Sequence, residues 1–507
     1  MGAKRFFQAA ALFLLFFQGA VALAQTEPEK VKAFDQYAAQ AIRQWEAPGI
    51  SIAVVKDGKV LLQKGYGVRK LGETAPVDAQ TIFGICSTTK AMTAAAMGML
   101  VDEGKVNWDD PVTKYLPEFK LSDPYATQAV RVRDLFTHNA GLPNADYLWY
   151  ANLLSSEQIV ERMQYIPLAY PLRGGYTYQN VMYLVAGQLI AQVSGMSWAD
   201  FLQKRIFTPL NMKRTFATME ASKGESNRST PHYRVKGKVV PIRDMAVDRV
   251  GPAGSVWSCA EDMAKWMLFV LDSAKVNGQR LLKPETHAEW LKPQTIVPPA
   301  SFYPTVRLTK PMWTTYALGW FQHDYQGKAV SFHTGSMDGT IAIIGLIPAE
   351  KLGIYVLGNL DHAEVRHALM YRAFDQFGAG GDPTRDWSKE FLELYGGLEK
   401  QATAASEKAE KERVLNTKPS LPLADYAGNY SHPLYGKATV SLGSDGRLVV
   451  KGNTAESAYN LDHWHFDTFK GVSDRFWEEP SLVQFQLGAD GKVSAMRLEG
   501  AEWMKKE

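Results

Sequence analysis

Apolar positions recur at helical spacing across residues 31–45 and stop before Ala47-Pro48-Gly49, so the chain is predicted to open on a helix. Two short apolar runs, 51–55 and 60–64, flank Lys56-Asp57-Gly58-Lys59 and read as a hairpin. A second helix is predicted over 91–101, closed by Gly104. From Asn107 to about residue 253 the pattern is broken by Pro, Tyr and Asn into loops and helices, with an apolar helix at 181–193. At 262–271, Met263, Trp266, Met267 and Val270 fall on one side of a helix. Strand texture returns at 329–332, 340–346 and 352–358, and 364–377 again reads as helix. Strands near both ends with helices between them predict an α/β domain. Its antiparallel sheet draws on both chain ends and packs on helices, with a separate helical lobe.

The texture then changes. Residues 399–418 are charged and alanine-rich with no wide apolar stripe, and 419–422 carries prolines, so a solvated helix is expected to serve as a linker. Beyond it, 439–442 and 448–451 flank Asp445-Gly446, and Val483, Phe485 and Leu487 alternate with polar residues before Asp490-Gly491. Short strands of this kind predict a small all-β barrel or sandwich. The expected organisation is a segment at 1–24, a first domain at 25–395, a linker at 396–422 and a β domain at 423–507.

Composition narrows the partners. The 507 residues are 46% hydrophobic and 21% charged with a net charge of +3, which argues against nucleic acid or an anionic membrane surface as partner. Lys4 and Arg5, an apolar run at 9–17 and Ala22-Leu23-Ala24 before Gln25 form the pattern of a cleavable leader, so export to the periplasm or medium is expected. No later run is long enough to span a bilayer. The two cysteines, Cys86 and Cys259, exclude a disulfide scaffold or a cysteine metal site, and Cys86 is read as a small buried residue.

The candidate chemistry starts at Ser87-Thr88-Thr89-Lys90, where a serine is followed one helical turn later by a lysine. A desolvated lysine can take the proton that makes a serine hydroxyl nucleophilic. The tetrapeptide alone is weak, since roughly one or two occur by chance in a chain of ordinary composition. Gly174-Gly175-Tyr176-Thr177-Tyr178-Gln179-Asn180 adds a Tyr-x-Asn at the start of a helix. A nearby ammonium is expected to lower the Tyr178 phenol from its usual pKa of about 10 so that it can shuttle protons, and Asn180 can hold a substrate amide. His333-Thr334-Gly335 ends one strand, where glycine lets substrate approach the backbone and the N–H of Ser336 can donate to an oxyanion. His138, in Thr137-His138-Asn139-Ala140-Gly141-Leu142-Pro143, is read as a brace for its loop.

In chain order these motifs resemble the serine β-lactamase and penicillin-binding-protein superfamily, and most of all its class C-like branch of D-aminopeptidases, D,D-peptidases and esterases. Gly251-Pro252-Ala253-Gly254 followed by Asp262 is similar to that branch as well, and the likeness runs from about 30 to 380. The last 85 residues, with Leu461-Asp462-His463-Trp464-His465-Phe466, resemble a lipocalin-like barrel appended to some of these hydrolases. The resemblance implies a β-lactamase/transpeptidase-like fold, Ser87 as acylated nucleophile, Lys90 as its base and Tyr178 as proton carrier. Asn180, His333, Thr334, Gly335 and Ser336 would contact substrate, with the N–H groups of Ser87 and Ser336 as oxyanion hole. No metal or cofactor is implied. His463 and His465 lack an evident third ligand and are read as packed barrel residues.

One position departs from the pattern. Class C β-lactamases usually carry lysine where this chain has His333, and a histidine is mostly neutral at pH 7. The expectation therefore moves from β-lactams, with their carboxylate, toward amides or esters. The leading reading is an exported D-stereospecific peptidase or amidase acting on a small molecule or short peptide. A class C-like β-lactamase or carboxylesterase, and a non-catalytic binding protein on a retained hydrolase fold, stay open beside it. Oligomerisation through the C-terminal barrel is a further expectation. The aromatic and proline-rich stretches 144–154 and 301–314 are candidates for the cleft wall.

Overall fold

A computed structural model describes residues 25–150, 154–452, 458–498 and 500–506; the expected leader at 1–24 lies outside the described residues. The first helix, α1 (Glu27–Gln44), begins four residues before the expected start, because the Thr26 N–H donates to the Glu29 carboxylate at 2.8 Å and caps it. The hairpin follows as β1 (Gly49–Lys56) and β2 (Lys59–Gly67). Next come α2 (Thr89–Asp102), α3 (Val181–Ser194) and α4 (Ala260–Leu271), then strands β3 (Thr295–Ile296), β4 (Thr314–Tyr316) and β5 (Phe321–Tyr325). β6 (Lys328–Met337), β7 (Thr340–Ile347), β8 (Leu352–Gly358) and α5 (Val365–Phe377) complete the domain.

Among the described residues the strands form one eight-stranded antiparallel sheet in the order β2-β1-β8-β7-β6-β5-β4-β3. The two chain ends meet where Ile52 pairs with Val356. Successive side chains of a strand point to opposite faces. Ile50, Ile52 and Val54 of β1 accordingly join the core formed with α1 and α5, while Ala53 and Val55 join the core formed with α2 and α4. β7 divides its apolar residues in the same way. Covered on both faces, these strands read as continuous apolar runs, which is why they were legible. β4 and β5 were not expected, because Gln322, His323 and Asp324 interrupt the apolar texture. β6 runs through His333-Thr334-Gly335-Ser336 instead of ending before it.

Helix α6 (Trp387–Lys411) overlaps the expected linker. Its start is anchored by Trp387, which stacks on Tyr371 at 4.9 Å and donates Nε1–H to Asp375 at 2.7 Å. Phe391 is buried beside Trp387, with Leu394 and Tyr395 packed on the same core, and residues 399–408 are exposed. Beyond it lie β9 (Gly428–His432), β10 (Gly436–Leu442), β11 (Leu448–Lys451), β12 (Ala458–His465), β13 (Thr468–Ser473), β14 (Ser481–Leu487), β15 (Val493–Leu498) and β16 (Ala501–Lys506). They close into a barrel through β9–β16 pairing, which decides between barrel and sandwich. His463 and His465 are half-exposed at a bulged turn of the barrel, where His463 packs edge-on against the core residue Phe469 at 5.7 Å and its Nε2 meets the Phe466 carbonyl at 2.9 Å. No helix of the described residues is long and apolar enough to cross a membrane.

Candidate active site

Ser87 sits in the tight turn Cys86–Thr88 that leads into α2, and Cys86 adopts φ +51°. A left-handed backbone at a non-glycine residue is uncommon and sharpens the bend that presents the next side chain. β6 lies directly against this turn. A Cβ at Gly335 would come within 2.4 Å of the Ile85 carbonyl oxygen and 3.1 Å of the Ser87 nitrogen, so only glycine permits the approach. Thus the backbone next to Ser336 is held beside the Ser87 N–H.

Lys90 projects from the first turn of α2 into the interior and is fully buried. Its ammonium has three protons, and three acceptors surround it: Ser87 Oγ at 3.0 Å, Asn180 Oδ1 at 2.7 Å and the Ala253 carbonyl at 2.8 Å. Burial penalises the charged form and brings the amine down to about 7, with the Asp146 carboxylate partly opposing the fall. At neutral pH a large fraction is therefore a free amine 3.0 Å from the serine hydroxyl.

Tyr178 and Asn180 enter from the loop before α3. The Tyr178 ring stacks on Phe321 at 6.2 Å and packs against His138 at 4.4 Å. Lys90 Nζ lies 4.8 Å from the ring centroid, over the face of the ring. The expected lowering of the phenol is not found. Burial pushes Tyr178 well above its usual value, with the facing Ser87 hydroxyl offsetting only part of the rise, so it stays a proton donor in the resting site. Asn180 bridges Lys90 to Asp146, donating Nδ2–H to the carboxylate at 2.9 Å. His138, at φ +59°, accepts the Gln179 N–H at 2.9 Å and so ties its own loop to the Tyr178 segment.

His333 departs from its expected contact with substrate. Its ring is 1% exposed, does not line the cleft, and meets the Tyr316 hydroxyl at 2.9 Å through Nε2 and the Thr334 carbonyl at 2.6 Å through Nδ1. Nδ1 must donate to that carbonyl, leaving Nε2 to accept from the phenol. Burial, with the nearby Lys90 adding to it, depresses the imidazole to about 3, so it is neutral throughout the neutral range. Thr334 and Ser336 do line the cleft; Thr334 Oγ1 bonds the Tyr303 hydroxyl at 2.6 Å.

The cleft encloses about 680 Å³ and brings Ser87, Tyr178, Asn180, Thr334 and Ser336 together. Its wall includes Tyr147 and Tyr150 from the first aromatic stretch and Phe302 and Tyr303 from the second. Several residues were invisible to motif reading. Asp146 opens a single 3₁₀ turn, Asp146–Leu148, too short to give a periodic signal. Arg366 is buried, paired with Glu364 at 2.8 Å, and donates to the Gly335 carbonyl at 2.6 Å and Ser336 Oγ at 2.8 Å. Glu364 and Arg366 open a helix that also carries Arg372 and Asp375, so nothing in the charge pattern singled the pair out. Across the cleft mouth Arg475 of the barrel forms an ion pair with Asp338, which also accepts Trp477 Nε1–H at 2.8 Å.

Comparison with known proteins agrees with this arrangement. Residues 34–376 match the family model described as Beta-lactamase, and 412–507 match a domain of unknown function, DUF3471. The chain is 29% identical to "Unguisins hydrolase ungD'" of Aspergillus campestris (strain IBT 28561), over 94% of this chain and 91% of that protein. In fold it is similar to the octameric penicillin-binding protein homologue from Pyrococcus abyssi, with a TM-score of 0.61 and 22% identity over 94% of this chain and 100% of that one. It is also similar to SurE, with a TM-score of 0.57 and 20% identity over 95% and 100% of the two chains.

Proposed function

Because the chain belongs to the beta-lactamase family of serine hydrolases, we propose that it is an exported peptidase or amidase with preference for a D-residue at the acyl side, working through an acyl-enzyme on Ser87. The observation that carries this reading is the buried Lys90 amine, held near neutrality 3.0 Å from Ser87 Oγ. The neutral amine takes the serine proton as Oγ attacks the carbonyl carbon. The N–H groups of Ser87 and Ser336 stabilise the oxyanion. The phenol of Tyr178 gives its proton to the departing nitrogen as the C–N bond breaks, and regains one from Lys90. Water then attacks the ester by the reverse relay, releasing the acid and restoring Ser87.

The electrostatics of the cleft support an amide over a β-lactam. His333 is neutral and set back from the cleft. The carboxylates of Asp146, Asp338 and Asp361 line it, and the rim residue His362, whose imidazole is raised above its usual value by its hydrogen bond to Asp361, meets that carboxylate at 2.5 Å. Among the described residues, no lysine or arginine lines this wall to await a substrate carboxylate. The relative named for hydrolysing unguisins is a further support for hydrolytic chemistry. Export rests on the leader pattern at 1–24, and assembly through the barrel is part of the same proposal.

A fluorophosphonate probe should label Ser87 in the folded protein, and kcat/KM should rank D-aminoacyl amides above short-chain esters and nitrocefin. An unlabelled Ser87 sinks the enzyme reading. Nitrocefin at the head of the ranking replaces it with a β-lactamase.

A further inference from the structure

The relay of Ser87, Lys90 and Tyr178 leaves one buried titratable side chain beside it unused, that of His138, which is 1% exposed. This residue grips the chain on both sides of Tyr178. The His138 carbonyl accepts the Thr177 N–H at 2.9 Å, and its Nδ1 accepts the Gln179 N–H at 2.9 Å. Burial, with Lys90 and His333 nearby, holds the imidazole well below its usual value and keeps it neutral. An Nδ1 that accepts carries no proton, so in the neutral ring the proton is on Nε2.

That Nε2 is buried and has no hydrogen-bond partner among the described residues. Four phenols stand around the ring instead, with centroids 4.4 Å away at Tyr178 and Tyr316, 5.6 Å at Tyr183 and 5.9 Å at Tyr176. A buried donor without an oxygen or nitrogen acceptor is costly, and aromatic rings offer it only a weak contact. The loop tie alone does not require that cost. An asparagine places an oxygen where His138 has Nδ1 and is common in the left-handed backbone that His138 adopts at φ +59°, so it would accept the Gln179 N–H equally well. What asparagine lacks is the ring against Tyr178.

We propose that His138 is a positioning residue for the leaving-group step: its ring packs against the Tyr178 ring while its polar atoms hold the peptides on either side, and together they fix the direction in which the phenol delivers its proton to the departing nitrogen. This rests on the amidase reading above. Tyr178 lies in a loop, not on a helix or strand, so its direction depends on such neighbours. A reacting group displaced by about 1 Å can lose roughly 100-fold in rate.

His138→Asn keeps both backbone ties and removes the ring. On D-alanine p-nitroanilide its kcat should fall about 10- to 100-fold with KM within about twofold. On D-alanine p-nitrophenyl ester, whose leaving group needs no proton, kcat should fall less than about threefold. In a Tyr178→Phe background the same substitution should change anilide turnover by less than about threefold, because the hydroxyl it acts through is gone. An equal fall on both substrates, no fall on either, or an undiminished fall in the Tyr178→Phe background overturns the positioning role. A readout in the parent protein is independent of any variant's folding. Its histidine ¹H–¹⁵N spectra should show one ring protonated at Nε2 alone from pH 5 to 8, the opposite tautomer to His333, with cross-peaks to the Tyr178 ring. A ring there that titrates in that range, or lacks those cross-peaks, overturns the role equally. A parent that hydrolyses no amide, or an anilide rate untouched by Tyr178→Phe, overturns the amidase relay and the positioning role with it. Failure of the His138 assignment alone is recognised by a Tyr178→Phe protein that still loses anilide turnover.

Discussion

The imidazole of His333 and the phenol of Tyr316 stand 2.9 Å apart, and this contact holds the histidine behind the strand that borders the cleft. Neither ring nitrogen faces substrate, since the other bonds the Thr334 carbonyl. The residue that replaces a lysine thus acts as a neutral prop for β6. It does not act as a weaker cation in the cleft.

That placement has a consequence for stability. The folded pKa of His333, about 3, lies below the ordinary 6.5, so between those values the unfolded chain binds a proton that the folded chain refuses. Its contribution is complete above pH 6.5 and is lost as the pH falls toward 3. Urea unfolding between pH 7 and 5 should give His333→Gln a pH slope shallower than the parent by up to about 1.4 kcal/mol per unit. Equal slopes would show that the histidine is not buried neutral.

Acylation should follow the Lys90 amine. The base must be unprotonated, so fluorophosphonate labelling should fall about tenfold per unit below pH 7 and level off above it. Lys90→Ala should abolish labelling without loss of fold. Asp146 opposes the depression of Lys90. Asp146→Asn should therefore lower the amine further and carry the acid limb to lower pH. A flat profile in the parent would remove Lys90 from the role of base.

Tyr178 is expected to act on the leaving group. Tyr178→Phe should slow amide turnover by roughly 100- to 10,000-fold, the range for loss of an acid–base group. A p-nitrophenyl ester, whose leaving group needs no proton, should lose far less. Equal losses on both substrates would point to packing, since the ring also stacks on Phe321 and His138.

Glu364 and Arg366 test how the oxyanion strand is held. The pair with Arg366 keeps the Glu364 carboxyl far below its usual range, so its stabilisation is present at neutral pH and lost as acid protonates it. Glu364→Gln leaves a buried guanidinium unpaired and should cost about 3–5 kcal/mol in urea unfolding. Adding Arg366→Met should recover much of the stability and none of the kcat, because the bonds to Gly335 and Ser336 go with the guanidinium. Recovery of both would show that Arg366 has no positioning role.

Much of the fold was readable where burial has a simple period. β1, β7 and β8 are covered on both faces and appear as unbroken apolar runs; α1 and α4 carry stripes. β5 was missed because Gln322 and His323 are buried polar residues whose partners lie far away: Gln322 donates to Leu291 and His323 meets Tyr371. Such residues look like loop until their acceptors are known. The barrel strands alternate because one face meets the lumen and the other meets water, yet alternation alone does not distinguish a closed sheet from two packed ones.

The chain by itself determined the spacing of Ser87 and Lys90 on one helical face and the change from α/β to all-β texture after the charged helix. Those are local properties, set by helical and strand periods; that Gly335 admits the Ile85–Ser87 turn, and not only substrate, came from the tertiary contact. Only the tertiary structure decided the charge states. Burial lowered Lys90 and raised Tyr178, against the expectation of an acidic phenol, because desolvation depends on every element packed around a group. It also decided that His333 turns to Tyr316 and that barrel and cleft share a wall at Tyr150 and Asp338. Those contacts join residues far apart in sequence, and no local pattern encodes which of them meet.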